Sequence, residues 1–141
     1  MKQGESSDKV VLITGASSGI GKSIATYLSK RNFIVYGTSR SPQKSSDEAF
    51  EFVQLDVTKE QTIIDAIKKV SEKEGRIDIL INNAGVGITG PIEETPEIEI
   101  KNAFETNYFG PLNMIKNVLP IMRKQQDGLI INITSIAGYM G

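Results

Sequence analysis

Between Val10 and Ser23 four apolar residues run into a threonine, a cluster of small residues and then a helical pattern. The order is Val10-Val-Leu-Ile-Thr14-Gly-Ala-Ser-Ser-Gly-Ile-Gly21-Lys-Ser23. A turn of this kind aims backbone N–H groups at whatever sits over the helix start. Those unpaired amides and the helix dipole favour a negative group, most often a phosphate. Gly15 permits the tight turn, Gly19 lets a diphosphate approach the backbone, and Gly21 lets helix and strand pack closely. Two phosphate motifs overlap in this stretch. Gly15-x-x-x-Gly19-x-Gly21 is a variant of the dinucleotide fingerprint. Ala16-x-x-x-x-Gly21-Lys22-Ser23 nearly fits a triphosphate loop, with alanine in place of its first glycine. The stretch alone does not decide between them.

Other polar residues that could do chemistry stand where apolar runs end. The second run closes on Thr38-Ser39-Arg40, with no carboxylate. In a dinucleotide site an acidic residue there bonds the ribose 2′-hydroxyl, whereas an arginine can form a paired fork with a 2′-phosphate. The alternative for Arg40 is a solvated loop residue. Asp56-Val57 follows the third run, and Asp56 could cap the helix beginning near Thr58. Asn82-Asn83-Ala84-Gly85 follows the fourth, its small residues letting backbone run close to a ligand. Ser135 ends the fifth, where open α/β sheets place their chemistry.

The elements that must position these residues are legible from periodicity. The strands are about 9–14, 33–37, 50–55, 77–81 and 129–133, each read as an apolar run of the kind expected to be buried on both faces of a parallel sheet, with single polar residues such as Glu51, Gln54, Asp78 and Asn132 within them. The first helix spans roughly 18–30 with Ile20, Ile24, Tyr27 and Leu28 as its stripe. A polar link with Pro42 joins strands two and three, too short for much helix. Thr58-Lys-Glu-Gln61 reads as a capping box for a helix that buries Ile63, Ile64, Ile67 and Val70 and ends at Gly75. Thr95-Pro96 reads as an N-cap and first turn. The helical pattern from there to about Lys124 should break near Gly110-Pro111 and kink at Pro120. The order β-α-β-β-α-β-α-β predicts a doubly wound α/β sheet of the Rossmann type over residues 9–141, after a polar tail at 1–8.

Composition narrows the function. The chain has 141 residues, 39% hydrophobic and 23% charged, with a net charge of −1, which gives no reason to expect nucleic acid or an anionic membrane as partner. It contains no cysteine and no histidine, so thiol catalysis and a histidine base are excluded, and no metal site is expected. No apolar run reaches membrane-spanning length and the N-terminus has no signal-peptide core, so a cytoplasmic protein is expected.

The chain resembles the N-terminal part of a short-chain dehydrogenase/reductase. Four landmarks carry the resemblance, in the family's order: Thr14-Gly-Ala-Ser-Ser-Gly-Ile-Gly21, Asn82-Asn-Ala-Gly85, Asn107 in Thr-Asn-Tyr-Phe-Gly, and Ser135 ending Ile-Asn-Ile-Thr-Ser. Four in register outweigh one near-match, and the triphosphate-loop reading gives way. The resemblance implies the strand order 3-2-1-4-5 and a nicotinamide cofactor held by Gly15, Ser17, Ser18, Gly19, Ile20 and Gly21. It extends that site to Ser39, Arg40, Asp56, Val57, Asn83, Ala84 and Gly85, and Arg40 implies NADP (NADPH) in preference to NAD. Asp56 and the Val57 amide would meet the adenine edge, though Asp56 could also cap. Of the two asparagines the resemblance implies Asn83 as the cofactor contact, and Asn82 is read as structural.

By the same resemblance Ser135 bonds a substrate carbonyl and steadies the oxyanion as hydride arrives, and Asn107 holds a water in a proton relay. The family's Tyr-x-x-x-Lys pair does not follow Ser135 within these residues, and Tyr139 lies too close to the serine to be that tyrosine. The expectation is therefore the cofactor half of an NADP-dependent oxidoreductase of alcohols and carbonyls. Its sheet would be incomplete on the C-terminal side, inactive alone and a homo-oligomer in complete form. A non-catalytic nucleotide-binding or assembly module is the alternative. Strand five is expected to be a bare apolar edge, with Leu112, Ile115, Val118, Leu119 and Met122 losing part of their cover.

Overall fold

A computed structural model of the chain describes residues 8–41 and 49–138. Tyr139, most of the polar tail and most of the link containing Pro42 lie outside the described residues. Five strands, β1 (Val10–Ile13), β2 (Ile34–Ser39), β3 (Glu51–Gln54), β4 (Ile79–Asn82) and β5 (Leu129–Asn132), form one parallel sheet in the order β3-β2-β1-β4-β5. This is the doubly wound Rossmann-type arrangement expected from the sequence. The order reverses between β1 and β4, so the chain ends leaving these two strands diverge and open a crevice.

Helices cover both faces. Val10, Leu12 and Tyr36 face α2 (Glu60–Glu74) and α4 (Gly110–Gln125), packing with Ile63, Ile67, Val70, Met114, Val118 and Met122. Val11, Ile13, Val35 and Ile81 face the other way, toward Ala25 and the partly buried Ile24 and Leu28 of α1 (Gly19–Ser29). Alternate residues of β1 thus serve two cores, which is why that strand carries no polar residue. Among the described residues no helix is long and apolar enough to cross a membrane.

Several expectations are corrected. The α2 stripe is Ile63, Ala66, Ile67 and Val70; Ile64 sits on its shoulder and is exposed. In α1 the buried positions are Gly21 and Ala25, while Ile20 borders a cleft and Tyr27 lies exposed beneath the Arg31 guanidinium at 3.5 Å. The capping box does not form. The Thr58 hydroxyl donates to Asp56 Oδ1 at 2.7 Å, Lys59 is the N-cap, and Thr62 Oγ1 accepts the Asp56 N–H at 3.0 Å. A carboxylate two residues upstream is the stronger acceptor and takes the hydroxyl.

Thr95 is no N-cap either, since its hydroxyl donates to Pro91 O and α3 (Glu97–Phe104) begins after Pro96. The break expected near Gly110-Pro111 is instead a five-residue π-turn, Glu105–Phe109, joining α3 to α4, with Gly110 N–H reaching back to Glu105 O. Strand β5 is largely exposed, as a bare edge would be. Val118 and Met122, however, are fully covered by the α2 side of the core, and only Leu112 of the five α4 residues is plainly exposed.

At the far end of the sheet Asp78 is buried and holds two elements together. It accepts the Val10 N–H at 2.8 Å and a two-point bond from Arg76, while Gln125 braces the backbone of Ile77 on both sides. Burial pushes the Asp78 carboxyl up, but the Arg76 and Val10 hydrogen bonds outweigh it and hold it below the usual carboxylate range. A depressed folded value stabilises above the unfolded pKa of about 3.9 and is lost as pH falls through the folded value. Asp78→Ala should cost about 3 kcal/mol in urea unfolding at neutral pH and should flatten the acid limb of stability below pH ~4. An unchanged acid limb would show that Asp78 does not set it.

Candidate functional site

Two clefts open along the carboxyl ends of the strands. The first, of about 570 Å³, is bounded by the turn after β1, the end of β2, Asp56 and Val57 after β3, and residues 83–86 after β4. Its base is the glycine turn. Gly15 and Gly19 hold φ of 69° and 57°, a left-handed backbone that glycine adopts without strain. A Cβ on Gly15 would stand 3.0 Å from Ala84 Cα, and one on Gly21 would run into the Gly15 carbonyl and Asn83 Nδ2. A Cβ on Gly19 would meet nothing within 4 Å, so that face of the turn is open. Ser18 caps α1 without a side-chain bond, and the first turn holds no acidic residue. The first helical bond of α1 runs from Lys22 N–H, leaving the three preceding amides outside the ladder.

The turn is fixed from across the sheet by β4. Thr14 Oγ1 accepts the N–H groups of both Asn83 and Ala84 at 3.0 Å, and Asn83 Nδ2 donates to Thr14 O and Gly15 O at 3.0 Å each. In the sequence Thr14 is only one member of the glycine-turn motif, and this bridging role goes beyond that reading. A hydroxyl ending a buried strand must find partners, which was the available signal. Asn83, read as the cofactor contact, spends its side-chain donors on the glycine turn. Asn82 is structural as read, its Nδ2 donating to Asn132 Oδ1 at 2.9 Å across β4 and β5.

Arg40 is exposed at the mouth of the first cleft, directly after the Ser39–Gln54 pairing that ends β2 and β3. Asp56 is partly buried beside it. Burial raises its carboxyl, but bonds from the Thr58 hydroxyl and amide, then the charges of Lys59 and Arg40, bring it below the usual range. It stays ionised near neutrality. Neither Lys22 nor Ser23 lines this cleft, and the Ser23 hydroxyl donates to Gly19 O at 3.1 Å within its own helix. The lysine and serine a triphosphate loop would use are therefore not part of this cleft's lining.

The second cleft, of about 730 Å³, shares residues 83–86 with the first and brings together Asn107 and Ser135. Asn107 lies in the π-turn and clamps the Val86 backbone from both sides. Its Oδ1 accepts Val86 N–H at 2.9 Å and its Nδ2 donates to Val86 O at 2.8 Å. Ser135 Oγ accepts the Ala137 N–H at 3.1 Å. Every expected cofactor residue except Gly19 and Gly21 lines the first cleft; Gly21 is buried beneath it. Val86, missed in the sequence, belongs to both clefts.

Residues 9–141 match the model of the short chain dehydrogenase family. The chain belongs to that family. It is 48% identical over 133 residues to a 3-ketodihydrosphingosine reductase of Bacteroides thetaiotaomicron, which covers 94% of this chain and 49% of that protein. It is 33% identical over 146 residues to human retinol dehydrogenase 8, covering 94% of this chain and 46% of the relative. Among solved structures, ElxO with NADP bound superposes with a TM-score of 0.88 at 38% identity, covering 95% of this chain and 58% of ElxO. The chain thus spans about half the length of the short-chain dehydrogenases it matches.

The two buried-side and open-side glycines should separate in stability. Gly21→Ala should lower the unfolding free energy by about 1–3 kcal/mol through forced displacement of Gly15 or Asn83. Gly19→Ala should cost only about 1 kcal/mol, the left-handed backbone penalty. Urea unfolding of both variants checks the order, and equal losses would contradict the close packing at Gly21.

Proposed function

We propose that this chain forms the NADP-binding half of an oxidoreductase that moves hydride between a nicotinamide cofactor and a small alcohol or carbonyl substrate. The observation that carries the reading is Arg40. It stands at the mouth of a cleft whose opposite end is a glycine turn with free helix-start amides, and it takes the position directly after Ser39 where an NAD site would carry a carboxylate. The open face at Gly19 and the ionised Asp56 fit a dinucleotide: diphosphate on the turn, 2′-phosphate toward Arg40 and Ser39, adenine toward Asp56 and Val57. ElxO carries NADP on the same fold, and two relatives are named for a ketone and an alcohol, which supports the substrate class.

The bound nicotinamide would supply or accept the hydride. Ser135 would then meet the substrate oxygen. Its Oγ already accepts Ala137 N–H, so its own proton is left to donate, stabilising charge as it develops on that oxygen. Asn107 holds Val86 in place between the two clefts and, through the π-turn, would seat a water of the proton path. No Tyr-x-x-x-Lys follows Ser135 in these 141 residues. The chain alone should bind NADPH and reduce no ketone, and the complete protein would be a homo-oligomer.

Cofactor titration by nicotinamide fluorescence tests the reading. NADPH should bind roughly ten- to a hundredfold more tightly than NADH, since a charged fork is worth about 1.5–3 kcal/mol. Arg40→Asp should reverse the preference by replacing attraction with repulsion. Equal affinities in the parent would refute the assignment.

A further inference from the structure

Strand β2 leaves the sheet through three successive carbonyls, and each is held by a different neighbour. Thr38 O accepts the Ala16 N–H, from the turn after β1, at 2.8 Å. Ser39 O accepts the Leu55 N–H, from the end of β3, at 2.9 Å. Arg40 O accepts a side chain, with Gln54 Nε2 donating at 3.2 Å. Arg40 lies past Ser39–Gln54, the last pair of the β2–β3 ladder, and there a side chain takes over from the backbone. Both peptide groups that flank Arg40 are therefore fixed to the end of β3, one through Leu55 and one through Gln54. The guanidinium itself makes no hydrogen bond or ion pair among the described residues, although its charge is felt by Asp56, two residues past Gln54. Its aim depends on its backbone. Gln54 is exposed and does not line the first cleft, so any effect it has on a ligand there runs through Arg40.

We propose that Gln54 is a positioning residue for the cofactor's 2′-phosphate: by holding the Arg40 carbonyl it keeps the guanidinium at the mouth of the first cleft, in place for a two-point fork. This rests on the NADP reading above and adds the residue that sets the strength of the preference. A fork requires two nitrogens to be placed at once. Each backbone rotation left free at Arg40 lowers the fraction of molecules in which they are placed, and the apparent affinity falls by that fraction. A cofactor without the phosphate makes no use of the fork and does not register the change.

The test titrates NADPH and NADH, by nicotinamide fluorescence, against the parent chain, Gln54→Met, Arg40→Ala and the double variant. Gln54→Met keeps the length of the side chain and removes its donor. It should weaken NADPH about two- to tenfold, the effect of one ordinary hydrogen bond. NADH affinity and the urea midpoint should stay unchanged, since the side chain is exposed. On the Arg40→Ala background Gln54→Met should alter neither affinity, because no guanidinium is left to place. Gln54→Asn, which keeps the amide but is one methylene shorter, should behave as Gln54→Met does.

Equal losses of NADPH and NADH affinity in Gln54→Met would make Gln54 a support of the whole adenosine site and overturn the proposal. A loss that persists in full on the Arg40→Ala background would overturn it as well, since the effect would not run through the arginine. The parent keeps the two readings apart. A parent that does not prefer NADPH removes the NADP reading itself, whereas a parent that prefers NADPH and keeps that preference undiminished in Gln54→Met removes only the role of Gln54.

Discussion

The structure depends on the knot that ties the end of β1 to the end of β4. Two strands that diverge at the point of reversed order expose backbone groups which neither strand can pair with the other. Thr14 and Asn83 satisfy them mutually: one hydroxyl takes two amides, and one carboxamide gives to two carbonyls. Each bond is an ordinary one, worth about 1 kcal/mol net, but a lost partner would strand buried groups at higher cost. The knot also sets the glycine pattern. Asn83 Nδ2 and the Gly15 carbonyl occupy the space that a side chain on Gly21 would need, and Ala84 occupies that of Gly15. Gly15 and Gly21 are thus the consequence of close approach by the residues after β4, whereas Gly19 answers to its left-handed backbone alone.

From this knot the two clefts inherit a common floor. Residues 83–86 leave β4 already fixed at one end by Thr14 and are fixed again at the other by Asn107, which pairs with Val86 as a neighbouring strand would. The π-turn allows this. It widens the helix over five residues so that Asn107 projects toward the β4 loop, and Gly110, whose Cβ would meet Val57 at 2.9 Å, lets the helix resume against the loop after β3. Two clefts therefore stand side by side over the one strip, residues 83–86, that both of them share.

Much of this was legible in the sequence because it rests on composition at strand ends. Apolar runs marked the five strands of the parallel sheet, though only the central ones are buried on both faces while β3 carries Glu51 and Gln54 and β5 is largely exposed, and Gly15, Gly19 and Gly21 marked the turn. Arg40, Asp56, Asn83 and Ser135 fell at the carboxyl ends of strands, as expected. The misreadings arose where spacing leaves phase undetermined. Ile64 and Ala66 both fit the α2 period, and only packing chose Ala66. Ile20 looked like core and instead borders the first cleft. The Thr58–Gln61 box was outcompeted by Asp56, and the five-residue turn around Asn107 has no periodic signature at all. Thr14 was hidden for a different reason: its partners lie 69 and 70 residues away, beyond any local pattern.

The most direct measurement of the account is a double-mutant cycle between Thr14→Val and Asn83→Ala, read by urea unfolding and by NADPH affinity on the same samples. If the two side chains form one interlocked unit, each single variant breaks it, and the pair should be non-additive by about 1 kcal/mol or more. NADPH affinity in the double variant should then be no lower than in the weaker single. Losses that add within a few tenths of a kcal/mol, with cofactor affinity falling independently at each site, would contradict the claim that this knot fixes the glycine turn.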